Sequence, residues 1–259
     1  MAERRGIDSL VLGLADQYVW TLVELGAYEE AEALAGEIVP SLEEAKDVAS
    51  LVEIRELEVR VRTRRGELSQ AAPMAGWVVE HARKIGQTDV LVAALTIAAA
   101  LRLAIGDASG AAALLAEMEE TANARDVFDY AAALPEAVRI AFGAGEPRLA
   151  GKLVHGVDSR YPLHEHALLT ARALLAEHRG EHAAAEGMFA DAADRWKRFE
   201  LPWERAQALL GQGRCLLALN DPGAGEALRQ ARDILISLGA RPALEEADAL
   251  LERATALTS

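Results

Sequence analysis

The stretch from Leu169 to Ala192, LTARALLAEHRGEHAAAEGMFADA, reads as two amphipathic helices meeting at Gly180. Small and apolar residues recur at helical intervals before the glycine (Leu169, Ala173, Ala176) and after it (Ala185, Phe189, Ala192), so each segment has one face to bury. Gly180 supplies the positive φ that ends the first helix. Ala173, seven positions before it, and Ala185, five after, are compact enough for two backbones to approach where the helices cross. This unit is a helical hairpin.

The same pattern recurs along the chain. Turn residues Gly26, Gly66, Gly106, Gly145, Gly180 and Asn220 stand 40, 40, 39, 35 and 40 residues apart, and five positions after them come Ala31, Ala71, Ala111, Ala150, Ala185 and Gly225. Seven positions before the turns stand Val19, Val59, Ala99, Val138, Ala173 and Gly213. An apolar stripe follows at nine and twelve positions after the turn, as in Ala35 and Ile38 or Leu115 and Met118; in the sixth copy it slips by one to Ala224, Leu228 and Ala231. The expected fold is all-α: a right-handed superhelical solenoid of about six antiparallel helix pairs with a C-terminal cap, in one domain. The repeats cover approximately 8–40, 41–86, 87–125, 126–160, 161–200 and 201–240, and the cap 241–259.

First helices are expected at Asp8–Leu25, Leu42–Arg65, Asp89–Ile105, Asp126–Phe142, Leu163–Arg179 and Pro202–Leu219. Second helices are expected at Tyr28–Val39, Leu68–Ile85, Ala108–Ala124, Pro147–Val157, His182–Phe199 and Gly223–Leu238, and a last one at Pro242–Leu257. Pro40 is expected to end its helix, with Ser41-Leu42-Glu43-Glu44 as a capping box for the next, and Pro135 to kink or split its helix near Leu134.

Small residues around a glycine turn, followed by Ala and a larger apolar residue four positions on, resemble the tetratricopeptide repeat, though the period is near 40 rather than 34. The longer unit is similar to the C-terminal arrays of large LuxR-type and maltose-regulator-type ATP-dependent transcription regulators and of actinobacterial multidomain nucleotide cyclases. Arg195-Trp196 through Leu201-Pro202-Trp203-Glu204-Arg205-Ala206, and Leu238-Gly239-Ala240-Arg241-Pro242, carry that likeness. The resemblance implies a noncatalytic scaffold used in signalling or transcription regulation, engaging a protein or an effector. The ATPase, cyclase and DNA-binding parts of those proteins are not in this sequence. Gly145 to Leu153 lacks the spacing and hydroxyl of a phosphate-binding loop, and Gly106 to Gly110 is not a serine-nucleophile elbow.

Forty-one acidic against 27 basic residues give a net charge of -14, a field that repels nucleic acid and anionic lipid. No apolar run is long enough to span a bilayer, the N-terminus with Arg4 and Arg5 does not read as a signal, and Cys215 stands alone. The expectation is a cytoplasmic chain without cofactor. His155, His164, His166, His178 and His182 cluster in sequence, but Gly180 separates the i, i+4 pair His178 and His182 onto different helices. A metal-dependent enzyme built on them is the weakest alternative, and no metal ligand is assigned.

In stacks of this type the first helices line the concave face, at about thirteen, ten, six and three positions before the turn. Those positions hold Asp16, Trp20, Glu53, Glu56, Arg60, Thr63, Thr96, Arg139, Phe142, Thr170, Glu177, Gln207 and Arg214. Arginine recurs six before the turn, at Arg60, Arg139 and Arg214. Spaced guanidinium forks in an acidic protein suit an acidic peptide segment or a small anionic effector, and equally suit internal salt bridges. The leading expectation is a protein segment in the groove; the alternative is a small anionic effector within the superhelix.

Overall fold

The computed structural model describes residues 14–257, and these are helical with no strand among them. The helices are α1 (residues 14–24 of the described chain), α2 (Tyr28–Ala45), α3 (Val48–Arg65), α4 (Leu68–Ile85), α5 (Thr88–Ala104), α6 (Ala108–Glu120), α7 (Phe128–Gly143), α8 (Pro147–Val154), α9 (Pro162–His178), α10 (His182–Arg198), α11 (Pro202–Ala218), α12 (Ala224–Ser237) and α13 (Arg241–Leu257). They form six successive pairs and a cap. The expected start of the first helix at Asp8 lies outside the described residues. Among those residues no helix is long and apolar enough to cross a membrane.

Each intra-pair turn closes the same way. Gly26, Gly66, Gly106, Gly145, Gly180 and Asn220 all adopt positive φ. At each, the turn N–H donates three residues back and the next N–H donates five back, as in Gly180 to Glu177 and Glu181 to Ala176. This double bond satisfies carbonyls that a helix end leaves orphaned. The small residues behave as their spacing predicts: Ala31, Ala71, Ala111, Ala150 and Ala185 are buried, as are Val19, Val59, Ala99, Val138, Ala173 and, in the slipped sixth copy, Ala224. Consecutive helices pack on each other, and first helices also pack on first helices, α3 on α5, α5 on α7 and α7 on α9. That second set of contacts turns a row of hairpins into a continuous inner wall.

Several features differ from expectation. Helix α2 runs through Pro40 to Ala45, so Leu42 to Glu44 close it rather than open the next helix. Pro40 and Gly36, four residues before it, are both exposed, so the carbonyl that proline leaves unpaired is on the solvent side of the helix. The real stop is Lys46 in left-handed conformation, and Asp47 caps α3 by accepting from the Ser50 N–H at 3.2 Å. Helix α7 is continuous across Pro135 rather than split, because Tyr130, Ala131, Leu134, Ala137 and Val138 are all buried around it and packing outweighs one lost hydrogen bond. Helix α6 stops at Glu120, followed by a short 3₁₀ turn at Ala124–Asp126, and α8 stops at Val154.

The curvature brings the end of the array back to its beginning. Arg241 donates from Nε to the Arg65 carbonyl at 2.8 Å, and a β-carbon added to Gly26 would stand 2.5 Å from Leu238 Cδ2 and 3.1 Å from Pro202 Cγ. One added to Gly66 would meet Pro242 at 3.3 Å. These two turns are therefore glycine for a second reason, the close approach of the C-terminal repeats. Gly180 has the same φ as Gly26 but open space around it. Gly180→Ala should thus cost about 1–2 kcal/mol for backbone strain alone, and Gly26→Ala more, since Leu238 and Pro202 must also shift; equal losses in denaturant midpoint would mean that these side chains do not press on the Gly26 turn.

Candidate functional site

Closure of the ring gives the inner wall an interior. Two connected chambers lie along the first helices, sharing Trp20, Arg60, Ala93, Phe128 and Asp129. The deeper one, about 120 Å³, is walled by Ala93, Ile97, Ala100, Ala132 and Ala133, with Thr63, Thr96 and the Trp196 ring, and Leu201 and Glu204 border it from the returning end. The other, about 410 Å³, lies toward the N-terminal halves of α1, α3, α5 and α7, and its lining is dominated by Asp16, Glu53, Glu56, Asp89 and Asp129.

A buried polar cluster joins the two ends of the ring beside the first chamber. The Arg64 guanidinium lies 4.4 Å over the Trp203 ring and donates to Tyr28 Oη at 3.1 Å. Arg139 donates to both Glu204 oxygens at 3.1 and 2.9 Å and to Glu136 at 3.0 Å, while Trp203 Nε1 donates to Glu136 at 3.4 Å. Burial pushes the Glu136 carboxyl up, but Arg139 and Arg64 outweigh it and hold this acid below the usual carboxylate range. Burial likewise opposes the Arg139 charge, and Glu204 and Glu136 more than restore it. These ions are mutually compensated, which is the condition for keeping charge inside a protein.

The expected concave residues divide in two. Asp16, Trp20, Glu56, Arg60, Thr63 and Thr96 come together around the chambers. Arg139, Phe142, Thr170, Glu177, Gln207 and Arg214 do not line them. Phe142 stacks on His178 at 4.3 Å, Thr170 accepts from the buried Trp196 indole at 2.9 Å, and Arg214 forks onto Glu177 at 2.6 and 3.0 Å and reaches Glu246 at 2.9 Å. Arg60 is also engaged, donating to Glu24 at 2.6 Å. All three recurring arginines thus serve internal pairs. Two hydroxyls turn inward on their own helices, Thr63 to the Val59 carbonyl and Thr96 to that of Val92.

Sequence reasoning missed Asp89, Phe128 and Asp129, which lie in the first turns of α5 and α7, and Glu24, Arg64 and Glu136. Asp89 and Phe128 stand seventeen positions before their turns, one helical turn beyond the thirteen-back position; extending the stripe by four residues would have found them. Glu136 and Arg64 are off the stripe and enter only because the chain end returns.

Three of the clustered histidines, His164, His166 and His178, pack as aromatic rings. His164 packs on Phe128 and Tyr161 at 4.9 and 5.0 Å, and His166 on Trp196 and Phe199 at 5.5 and 5.0 Å. Burial holds both below the usual imidazole range. Among the described residues no three His, Cys, Asp or Glu side chains converge in a metal-binding arrangement. Cys215 is buried, and burial raises its thiol to about 12.

The acidic chamber is electrostatically uncompensated. Burial, then a hydrogen bond and repulsion from Asp16, then Asp89 and Asp129, push Glu53 up to about 8. Burial drives Glu56 well up too, despite Arg60, and its Oε1 has no hydrogen-bond partner. Asp129 is raised by burial and by Asp89. No protein-family model matches the chain, and a comparison with curated proteins finds no significant match.

A consequence for stability follows. Unfolded, Glu53 loses its proton near the ordinary 4.5; folded, it holds it until about 8. The folded state binds more protons between those values, so this residue's contribution falls as pH rises through that window. Chemical denaturation at about pH 5 and about pH 8 should show Glu53→Gln gaining on the parent protein as pH rises; a gap that stays constant would mean Glu53 ionises as it does in the unfolded chain.

Proposed function

We propose that this chain is a noncatalytic, cytoplasmic regulatory module of helical repeats that senses a small effector held inside its closed superhelix. The observation that carries this reading is the return of the C-terminal repeats onto the first two turns, which encloses an apolar, aromatic-walled chamber with a few polar groups at its edge. Such a chamber is the usual form of a small-molecule site. Because its walls come from α3, α5 and α7 at one side and from Trp196, Leu201 and Glu204 at the other, an occupant would contact both ends of the array and favour the closed ring over any opened form.

A protein segment along the inner face is the second reading, supported by the partial exposure of Trp20 and Phe128 at the mouth. It is served less well by the geometry, because the return of α11 and α13 onto the first two turns closes the array on itself. An anionic occupant loses its main support, since Arg60, Arg139 and Arg214 already pair with Glu24, Glu136, Glu204, Glu177 and Glu246.

A thermal-shift screen against metabolites tests the proposal. A ligand at about one hundred times its Kd should stabilise the fold by about 2.7 kcal/mol. Ala100→Leu, which pushes three carbons into the apolar chamber, should abolish that shift while leaving the unliganded melting temperature nearly unchanged. An equal shift in the variant would place the ligand elsewhere, and a protein that co-purifies while every metabolite is silent would favour the second reading.

A further inference from the structure

The larger chamber holds five carboxyl side chains and one guanidinium, and that guanidinium is bonded to Glu24. Asp89 and Asp129 lie in the first turns of α5 and α7, where helix dipoles favour negative charge. Glu53 and Glu56 have no such support, being in the second and third turns of α3. Glu56 is only 5% exposed, lines the chamber, and has one carboxyl oxygen without a partner. Leaving a buried acceptor unpaired costs about 1–3 kcal/mol, and nothing in the packing of α3 requires an acid there, since Leu, Ile and Val fill its other buried positions. Glu56 Oε1 is thus a buried acceptor without a donor on the wall of an acidic chamber.

The donor's chemistry follows from its surroundings. It must be cationic, because the wall is acidic. It is not a bare metal ion, because no three carboxylates among the described residues are arranged to hold one. Trp20 and Phe128 on the wall offer ring faces to an ammonium group and apolar surface to methylenes. The carboxyls arrive from α1, α3, α5 and α7 at separated points, which suits a cation with more than one charge centre.

We propose that this acidic chamber binds an aliphatic di- or polyamine, one ammonium bonding the free Glu56 oxygen and another the Asp16 and Glu53 carboxyls, with its methylene chain against Trp20 and Phe128. The assignment goes beyond the effector reading above: it concerns the second, acidic chamber, which adjoins the apolar one but is not bordered by Ala100, so the two are tested separately. Burial holds both the Glu53 and the Glu56 carboxyl above the usual carboxylate range in the empty chamber, so an entering amine favours release of their protons. The charged groups facing them are Asp16 and Glu24 from α1, Arg60 from α3, Asp89 from α5 and Asp129 from α7. Binding therefore strengthens as pH rises, the amine itself staying charged throughout.

Calorimetric titration of the full chain with putrescine and with spermidine tests this, with butanediol and succinate as neutral and anionic controls of similar length. Both amines should bind, the controls should not, and affinity should be about ten-fold higher at about pH 8 than at about pH 6. The heat should vary with buffer ionisation enthalpy, reporting released protons. Glu56→Gln, which mimics the protonated acid, should retain the melting temperature and lose about ten-fold or more in affinity. Silence of both amines at about pH 8, equal binding of butanediol, or undiminished affinity in Glu56→Gln overturns the assignment. If the amines are silent while another metabolite raises the melting temperature and loses that effect in Ala100→Leu, the amine assignment falls but the interior-effector reading stands, because Ala100 borders only the apolar chamber.

Discussion

Everything in this molecule depends on how closely the two helices of a pair can approach. Residues no larger than valine at the crossing position of the first helix, and alanines at that of the second, are buried to within a few per cent in the first five pairs, from Val19 and Ala31 to Ala173 and Ala185. A tight, nearly invariant crossing gives each hairpin the same shape, so the rotation from one to the next accumulates instead of averaging out. One larger residue at Ala185 would separate a pair and alter the path of all that follows, as overpacking does in any dense interior.

Accumulated rotation is what allows the sixth pair and the cap to reach the first. The contact is made by backbone and small side chains at the rim, where Leu238, Pro202 and Pro242 settle on Gly26 and Gly66. Further in, it is made by compensated charge, the cluster of Arg64, Glu136, Arg139, Glu204, Tyr28 and Trp203. Buried ion pairs contribute little net stability, because desolvation offsets most of the attraction. Their geometry is demanding, however, and a cluster satisfied only when α3, α7 and α11 are all in place selects the closed arrangement over an open spiral. The two chambers contrast with that cluster. Next to those fully paired ions, Glu53 and Glu56 share the single guanidinium of Arg60 with Asp16, Asp89 and Asp129, and burial with acidic neighbours holds both carboxyls above the usual range.

Much of the fold is legible in the chain. Glycine at five turns and the alanine five residues beyond announce hairpins, because few other residues permit a left-handed turn or a close crossing. The turns between pairs are quieter. Half of them place Lys46, Asn123 or Glu200 at positive φ; Lys and Glu carry no turn signature, and for this reason the boundary between α2 and α3, at Lys46, was expected six residues too early. Proline misled at Pro40, where a rule about isolated helices was applied to an exposed position that the helix runs through; at Pro135 the helix is not split, because neighbouring helices hold the backbone.

Of the candidate site, the chain itself determined the stripe of first-helix positions that face inward, since side-chain direction repeats with the helical period and the turn sets the register. It thereby placed Asp16, Trp20, Glu56, Arg60, Thr63 and Thr96 on one surface. Only the tertiary structure decided which of those side chains remain free. Whether Arg139 meets a ligand or Glu204, sixty-five residues away in sequence, depends on curvature summed over several repeats. The same holds for whether the carboxyls of four helices stand apart or crowd together. Local periodicity encodes the direction of a side chain, but its partner is set by small rotations adding over the whole array, and no single repeat contains that sum.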